Sequence, residues 1–139
     1  MKFELKFERF YPYPVAQVWD GLTSNEALSE WLMDTSGFKA ENGQAFEMTC
    51  ADRDGQLDVY RCRVVEVEAP FRMRWSWVLL GREHEGSMDV EFRLEAAGDG
   101  TTVRVFHRGD ANKSFIDDFE SGWPGKLDTL QATVRRRRE

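Results

Sequence analysis

The fold is decided by the C-terminal segment SFIDDFESGWPGKLDTLQATVRRRR, which occupies residues 114–138. Its apolar side chains recur at intervals of three and four residues, and they are Phe115, Phe119, Trp123, Leu127, Leu130 and Val134. This spacing places all six on one face, and it therefore predicts one long amphipathic helix that must lie against another layer of structure. Ser114 followed by Asp117 has the form of a capping box at the start of this helix. Pro124 predicts a kink or a short break, because proline cannot donate to the carbonyl of Glu120.

A strand followed by two short helices is predicted at the N-terminus. Residues 2–8 alternate phenylalanine or leucine with charged side chains, which is typical of a half-buried strand. Pro14 fits the first residue of a helix, and Thr23 followed by Glu26 has the form of a capping box that opens a second one. The apolar residues of the two helices are Val15, Val18, Trp19, Leu22, Leu28, Trp31 and Leu32.

The middle of the chain predicts an antiparallel meander, because short alternating segments are separated by turn residues. The inner faces of two of these strands coincide if a loop at residues 53–55 pairs Met48 with Tyr60. That register separates Cys50 from Cys62 by about four strand positions, or roughly 13 Å. A disulfide needs Cα atoms within about 7 Å, so we expect two free thiols and a reducing compartment.

The last two strands are predicted to form a hairpin closed by a two-residue turn at residues 98–99. This turn places Arg93 directly opposite Arg104 on the outer face of the sheet. Like charges in that position repel each other, and we expect Glu91 and Glu95 on the diagonals to offset the repulsion.

The order of the elements predicts an α+β architecture. One strand, two short helices, about six further strands and a long helix follow one another along the chain. An antiparallel sheet with one apolar face needs a cover, and the three helices can supply it. We therefore expect a curved sheet of six to seven antiparallel strands wrapped around the C-terminal helix, in a single domain over residues 1–139.

Composition and charge exclude several classes of protein. The 139 residues suffice for one core that folds without metals or disulfides. The net charge of −6 argues against nucleic acid and anionic membranes as partners. We interpret the basic run Arg135–Arg138 as a solvated helix terminus. No apolar run reaches the length of a transmembrane helix and the N-terminus lacks the apolar block of a signal peptide, so we expect a cytoplasmic location.

Short segments spread along the chain carry a family resemblance. They are PVAQVWDGLT at 14–23, WLM at 31–33, VVEVEAP at 64–70 followed by Trp75, TTVRVFHRG at 101–109, GWP at 122–124 and LDTL at 127–130. In this order they resemble the SRPBCC or START-like helix-grip superfamily, and within it the homologues of the C-terminal domain of the heat-shock-protein ATPase activator. This scaffold carries lipid binders, cyclases, oxygenase domains and co-chaperones, so the resemblance indicates the fold more narrowly than the activity.

The resemblance implies a cavity between the sheet and the C-terminal helix. The candidate lining residues are Trp31, Phe46, Met48, Tyr60, Cys62, Trp75, Trp77, Met88, Val90, His107, Phe119 and Trp123. Tyr60, His107 and the indole nitrogens would supply its polar anchors. Cys62 stands where many relatives carry a glycine, which would narrow the cavity at that point. The alternative is that these side chains fill a solid core.

Groups that could perform chemistry are few. His107 is the only inner-face residue that titrates near neutrality, and it is either an acid or base or a core histidine with a bonded partner. His84 lies between charged residues in a loop, where we expect solvent exposure. Two histidines so placed, without any zinc spacing of cysteine and histidine, predict no metal site. No glycine-rich phosphate loop or nucleophile elbow occurs, so no cofactor is predicted.

Three functions remain open. The first is non-enzymatic binding of a small apolar or amphipathic molecule between the sheet and the C-terminal helix. The second is a co-chaperone-like interaction with a heat-shock-protein ATPase, which the closer family resemblance favours together with a charged outer sheet face. The residues of that face are Arg61, Arg63, Arg72, Arg74 and Glu47. The third is a cyclase- or hydrolase-type enzyme that uses His107 and Tyr60.

Overall fold

The computed structural model describes residues 1–51, 54–83 and 86–138. Its elements are β1 (Lys2–Tyr11), α1 (Val15–Leu22), α2 (Asn25–Trp31), β2 (Asp34–Ser36), β3 (Ala45–Ala51), β4 (Leu57–Glu68), β5 (Arg72–Leu79), β6 (Gly86–Ala97), β7 (Gly100–Ala111) and α3 (Lys113–Arg138). Over these ranges the strands form one seven-stranded antiparallel sheet in the order β1-β7-β6-β5-β4-β3-β2. The predicted α+β architecture, with a curved sheet and a long C-terminal helix, is confirmed.

The core lies between the inner face of the sheet and the second half of α3. Four residues of the predicted apolar stripe are at most 1% exposed, and they are Trp123, Leu127, Leu130 and Val134. Phe115 and Phe119, nearer the start of the helix, are only half-buried. The hydroxyl of Tyr11 at the end of β1 donates to the Leu127 carbonyl at 2.7 Å, which ties the first strand to the last helix.

The predicted hairpin between β3 and β4 is confirmed. Met48 pairs with Tyr60, and Cys50 pairs with Asp58. Both cysteines are free thiols, as the register required. Gly55 has a φ of +80°, the left-handed conformation expected for this loop. Residues 52–53 of the loop, and likewise His84, lie outside the described residues.

The hairpin between β6 and β7 also has the predicted register, with Arg93 opposite Arg104. The acidic neighbours Glu91 and Glu95 offset the repulsion between the two arginines, as expected. Arg93 donates to Glu91 at 2.5 Å, and Arg104 lies 3.7 Å from Glu95. Because each guanidinium faces its own carboxylate, the like-charge pair is accommodated.

The start of α3 differs from the prediction. Asn112 is the capping residue, because its side-chain oxygen accepts from the backbone amide of Phe115 at 3.1 Å. The Ser114 hydroxyl donates to the same oxygen at 2.9 Å, so the serine supports the cap and does not form it. The helix also continues through Pro124 without a break, and the alternative of a kink there stays a prediction. Proline removes one backbone hydrogen bond, whereas burial of the flanking residue Trp123 holds the helix in place.

The cap of α2 lies one residue later than the sequence predicts. Ser24 is the N-cap, and its hydroxyl accepts from the backbone amide of Ala27 at 3.0 Å. Thr23 instead ends α1, where its hydroxyl donates to the Trp19 carbonyl at 2.8 Å. The buried residues of both helices face the core as predicted. None of the helices in the described part of the chain is long and apolar enough to cross a membrane.

Two strand boundaries also differ from the prediction. β1 continues to Tyr11 and so runs three residues beyond the predicted end at Glu8. The alternation of Phe71, Met73, Trp75, Trp77 and Leu79 with Arg72, Arg74 and Ser76 predicts a strand over residues 71–79 with Phe71 on its inner face. Phe71 is instead 53% exposed. The turn at residues 69–71 ends before β5 begins at Arg72, so the alternation of that strand does not extend to Phe71.

Gly109 allows β7 to pass close to β6. Its φ is +147°, in the region that favours glycine. A Cβ atom there would overlap the Ser87 carbonyl oxygen and would lie 2.8 Å from the Met88 Cα. Both neighbours are backbone atoms, so rotation of a side chain cannot relieve the overlap.

Gly109→Ala is expected to lower the free energy of unfolding by about 2 kcal/mol or more, because it adds backbone strain to a backbone overlap. Urea unfolding followed by tryptophan fluorescence measures the change. Gly122→Ala is the matched control, since its Cβ would meet no atom within 4 Å and alanine favours a helix by up to about 1 kcal/mol. Unchanged stability of Gly109→Ala would contradict the close approach of the two strands.

Candidate functional site

An open cleft of about 700 Å³ lies between the sheet and the first half of α3. The hairpin of β3 and β4 forms one wall, the residues that follow α2 form a second, and α3 forms the third. Its apolar lining residues are Leu32, Met33, Ala51, Tyr60, Phe115 and Phe119. A volume of this size is typical of pockets that hold small molecules.

Acidic side chains outnumber basic ones in the cleft. The charged lining residues are Asp54, Asp58, Asp117, Asp118 and Lys126. Asp117 and Asp58 each have a basic partner outside the lining. Asp117 accepts from Lys113 at 2.8 Å, and Asp58 lies 3.7 Å from Arg82. The local potential is therefore less negative than the four carboxylates alone would make it.

Lys126 is the basic residue among those that line the cleft, and no pattern in the sequence predicts that position. Its ammonium group donates to the Leu32 carbonyl at 2.9 Å. Burial lowers the pKa of this lysine. Met33, Cys50 and Phe115 were also not among the predicted lining residues. Of these, Phe115 could have been found, because it belongs to the apolar stripe of the predicted helix.

Two of the twelve predicted lining residues, Tyr60 and Phe119, line this cleft. The other ten lie in the interior, and each is at most 4% exposed. They are Trp31, Phe46, Met48, Cys62, Trp75, Trp77, Met88, Val90, His107 and Trp123. Contact between these ten residues and a ligand stays a prediction.

Trp77 and His107 lie directly behind the cleft. The ring centroid of Trp77 is 5.4 Å from that of Tyr60 and 5.7 Å from that of Phe119. The Trp77 and His107 rings stack at 5.1 Å with 16° between their planes. The ring centroid of Phe119 also lies 4.5 Å from that of His107. Aromatic contacts therefore connect the surface of the cleft to the buried histidine.

His107 is a buried, neutral histidine with one bonded nitrogen. The indole Nε1–H of Trp123 donates to its Nδ1 at 2.9 Å. Because Nδ1 accepts, the hydrogen of the neutral ring is on Nε2. Nε2 has no hydrogen-bond partner in the part of the chain that is described. Burial lowers the pKa of His107 from 6.5 to about 3, so the ring carries no charge at neutral pH.

The outer face of the sheet is organised around Glu91, whose side chain is only 1% exposed. Three arginines donate to it, at 2.9 Å for Arg72, 2.5 Å for Arg93 and 2.6 Å for Arg108. Burial opposes ionisation of this carboxyl, but the hydrogen bonds and charges of Arg93 and Arg72 outweigh it and hold the pKa at about 2. Much of the basic charge on this face is therefore neutralised within the chain.

The family model described as "Activator of Hsp90 ATPase homolog 1-like protein" matches residues 12–135. The chain belongs to this family. The family resemblance carried by the short sequence segments is therefore confirmed. The match to the Activator of Hsp90 ATPase homolog 1-like family includes every residue that lines the cleft.

Several solved structures share the fold. Protein MLL2253 from Mesorhizobium loti is 25% identical with a TM-score of 0.84, and the match covers 96% of this chain and 98% of that one. CV1439 from Chromobacterium violaceum is 21% identical with a TM-score of 0.83, covering 94% and 96%. CalU16 from Micromonospora echinospora is 23% identical with a TM-score of 0.77, covering 96% and 76%. No curated protein matches the chain.

The burial of His107 predicts a loss of stability in mild acid. The folded pKa is about 3 and the ordinary value is 6.5, so between these values the unfolded chain binds a proton that the folded chain does not. The free energy of unfolding should be constant above about pH 7 and fall by about 2 kcal/mol between pH 7.5 and pH 5. Urea unfolding at a series of pH values measures this slope.

The His84→Gln variant is the control for that experiment, because it leaves His107 as the one imidazole in the chain. It should keep the full slope, whereas His107→Asn should remove most of it. A slope that disappears in His84→Gln and persists in His107→Asn would contradict the assignment.

Proposed function

We propose that this protein is a non-enzymatic binder of a small apolar or amphipathic molecule, held between the sheet and α3. The observation that supports this proposal is the cleft of about 700 Å³, with apolar walls and polar groups beside them. Known ligand sites combine a concave, mostly apolar surface with a few polar anchors, and their volumes are of this order. Membership of a family whose scaffold resembles that of lipid binders agrees with it.

Catalysis by Tyr60 and His107 is less consistent with the geometry. Burial raises the pKa of Tyr60, so its hydroxyl stays protonated and is a poor base at neutral pH. His107 is held neutral with a pKa of about 3, so it is a poor acid or base there as well. The two side chains are on β4 and β7, which are separated by β5 and β6, and Trp77 on β5 contacts both rings.

Native mass spectrometry of the freshly purified protein, followed by a thermal-shift screen of fatty acids, sterols, polyketides and aromatic metabolites, tests the binding function. A ligand at a hundredfold excess over its Kd should stabilise the folded state by about 2.7 kcal/mol. Ala51→Trp should abolish the shift, because Ala51 lines the cleft and a large side chain there occupies it.

Ala45→Trp is the matched control, since Ala45 is an exposed residue of the same strand that does not line the cleft. It should bind as the parent protein does. No bound mass and no thermal shift in the parent protein would overturn the proposal, and so would equal binding by Ala51→Trp.

A co-chaperone-like interaction with a heat-shock-protein ATPase is the second candidate, and the family description is the observation that favours it. If this is the function, the protein should raise the ATP hydrolysis rate of a purified Hsp90-type ATPase. Charge reversal at Arg61 and Arg63, both exposed on the outer face, should abolish that effect. Ala51→Trp should leave it unchanged. A hydrolysis rate that does not change on adding the protein would exclude this candidate.

A further inference from the structure

Two hydrogen-bond donors behind the cleft lack an acceptor. The Nε2 atom of His107 and the Nε1 atom of Trp77 are buried, and no atom of the described residues bonds to either. Both atoms carry hydrogen, the first because Nδ1 already accepts from Trp123 and the second because indole nitrogen is always a donor. Most buried polar side-chain atoms in folded proteins are paired, because an unpaired donor has lost its bond to water without replacement. Two such donors on stacked rings are therefore available to an acceptor that enters from outside the chain.

A third unpaired donor differs in its surroundings. The Nε1 atom of Trp75 is also buried, with no partner among the described residues. Its ring packs against Phe38, Phe46 and Phe92, at centroid distances of 5.7, 5.2 and 5.1 Å. None of these three rings lines the cleft. Trp75 is therefore an internal reference, a buried indole donor that a ligand in the cleft would not reach.

Phe119 connects the cleft to the two rings that carry the unpaired donors. It lines the cleft and contacts the rings of both His107 and Trp77. It is half-buried and belongs to residues 113–122 of α3, of which none is fully buried. A change in the rotamer of one half-buried aromatic side chain is a fast motion that leaves the backbone in place. Such a rotation would open the cleft toward the donors.

We propose that the cleft binds an uncharged apolar molecule with a carbonyl oxygen, which accepts hydrogen bonds from His107 Nε2–H and Trp77 Nε1–H after Phe119 rotates. This inference rests on the proposed binding function and specifies its ligand class. The aromatic walls hold the apolar body, and the donors orient the carbonyl group. The ligand oxygen supplies an acceptor to the two donors.

The charges around the site favour a carbonyl over a carboxylate. Both donors are neutral groups, and an ionised carboxylate buried beside them would lack a cation to compensate its lost hydration. Acidic residues also predominate in the cleft, and the ammonium group of Lys126 already donates to the Leu32 carbonyl. A ketone, an ester or a quinone presents the acceptor without the charge.

Three probes that share a naphthalene body test the proposal: 2-acetylnaphthalene, 2-ethylnaphthalene and 2-naphthoate. Each is titrated into the ¹⁵N-labelled full chain, and NMR follows the indole Nε1–H and imidazole Nε2–H resonances. The ketone is expected to bind about tenfold more tightly than either other probe, since it alone supplies a neutral acceptor. It should move the Trp77 and His107 resonances downfield and leave that of Trp75 unchanged.

The outcomes separate this inference from the binding function on which it rests. If all three probes bind equally and shift the resonances of Tyr60 and Phe119 but not those of Trp77 and His107, the carbonyl site is wrong and the binding function stands. Tightest binding by 2-naphthoate would also overturn the carbonyl site. If neither these probes nor any compound of the wider screen binds, both proposals are wrong.

Two substitutions at His107 give an independent measurement. His107→Asn keeps an oxygen near the Nδ1 position for Trp123 but removes the donor at Nε2, whereas the longer amide of His107→Gln can restore that donor. The preference for the ketone over the hydrocarbon should fall to about threefold or less in His107→Asn and recover in His107→Gln. Full preference in a folded His107→Asn protein would exclude His107 as a ligand contact. If neither variant folds, the NMR titration of the parent protein still distinguishes a bonded His107 from one that the ketone does not reach.

Discussion

The hydrogen bond from Trp123 to His107 joins the middle of α3 to β7 inside the core. Its net contribution to stability is about 1 kcal/mol, but it determines two features of the structure at once. It positions α3 over the sheet, where the Trp123 ring also contacts Phe7, Trp31 and Phe92. It also determines the tautomer of His107, because a nitrogen that accepts cannot carry the hydrogen. The unpaired donor behind the cleft is a consequence of this one contact.

Strand register could be predicted from the sequence, whereas helix caps could not. Side chains alternate across a strand, so a one-residue slip would turn every apolar side chain to the wrong face, and pairing Met48 with Tyr60 was one consequence of that constraint. The cap prediction was wrong where two residues that can both cap a helix are neighbours in the sequence. Thr23 and Ser24 can both accept from a helix amide, and the choice depends on which residue keeps an extended backbone.

The location of the cleft could not be predicted, although most of the core could. Alternation identifies the inner face of the sheet, but it does not indicate which inner positions the helix leaves uncovered. Met33 follows the end of α2, Ala51 ends β3 and Phe115 lies in the first turn of α3. Element ends follow no periodic pattern. Most of the residues predicted to line the cavity therefore lie behind the cleft. Among them, Trp77 and His107 contact the lining residue Phe119.

Pro124 divides α3 into two parts that differ in how deeply their side chains are buried. C-terminal to it, Leu127, Leu130 and Val134 are fully buried, so that part can open only when the whole core unfolds. N-terminal to it, residues 113–122 bury no side chain completely, and proline has already removed a backbone hydrogen bond that would link the two parts. The wall of the cleft can therefore fray as a separate cooperative unit. Amide hydrogens on the two sides of one continuous helix would exchange with solvent through different openings.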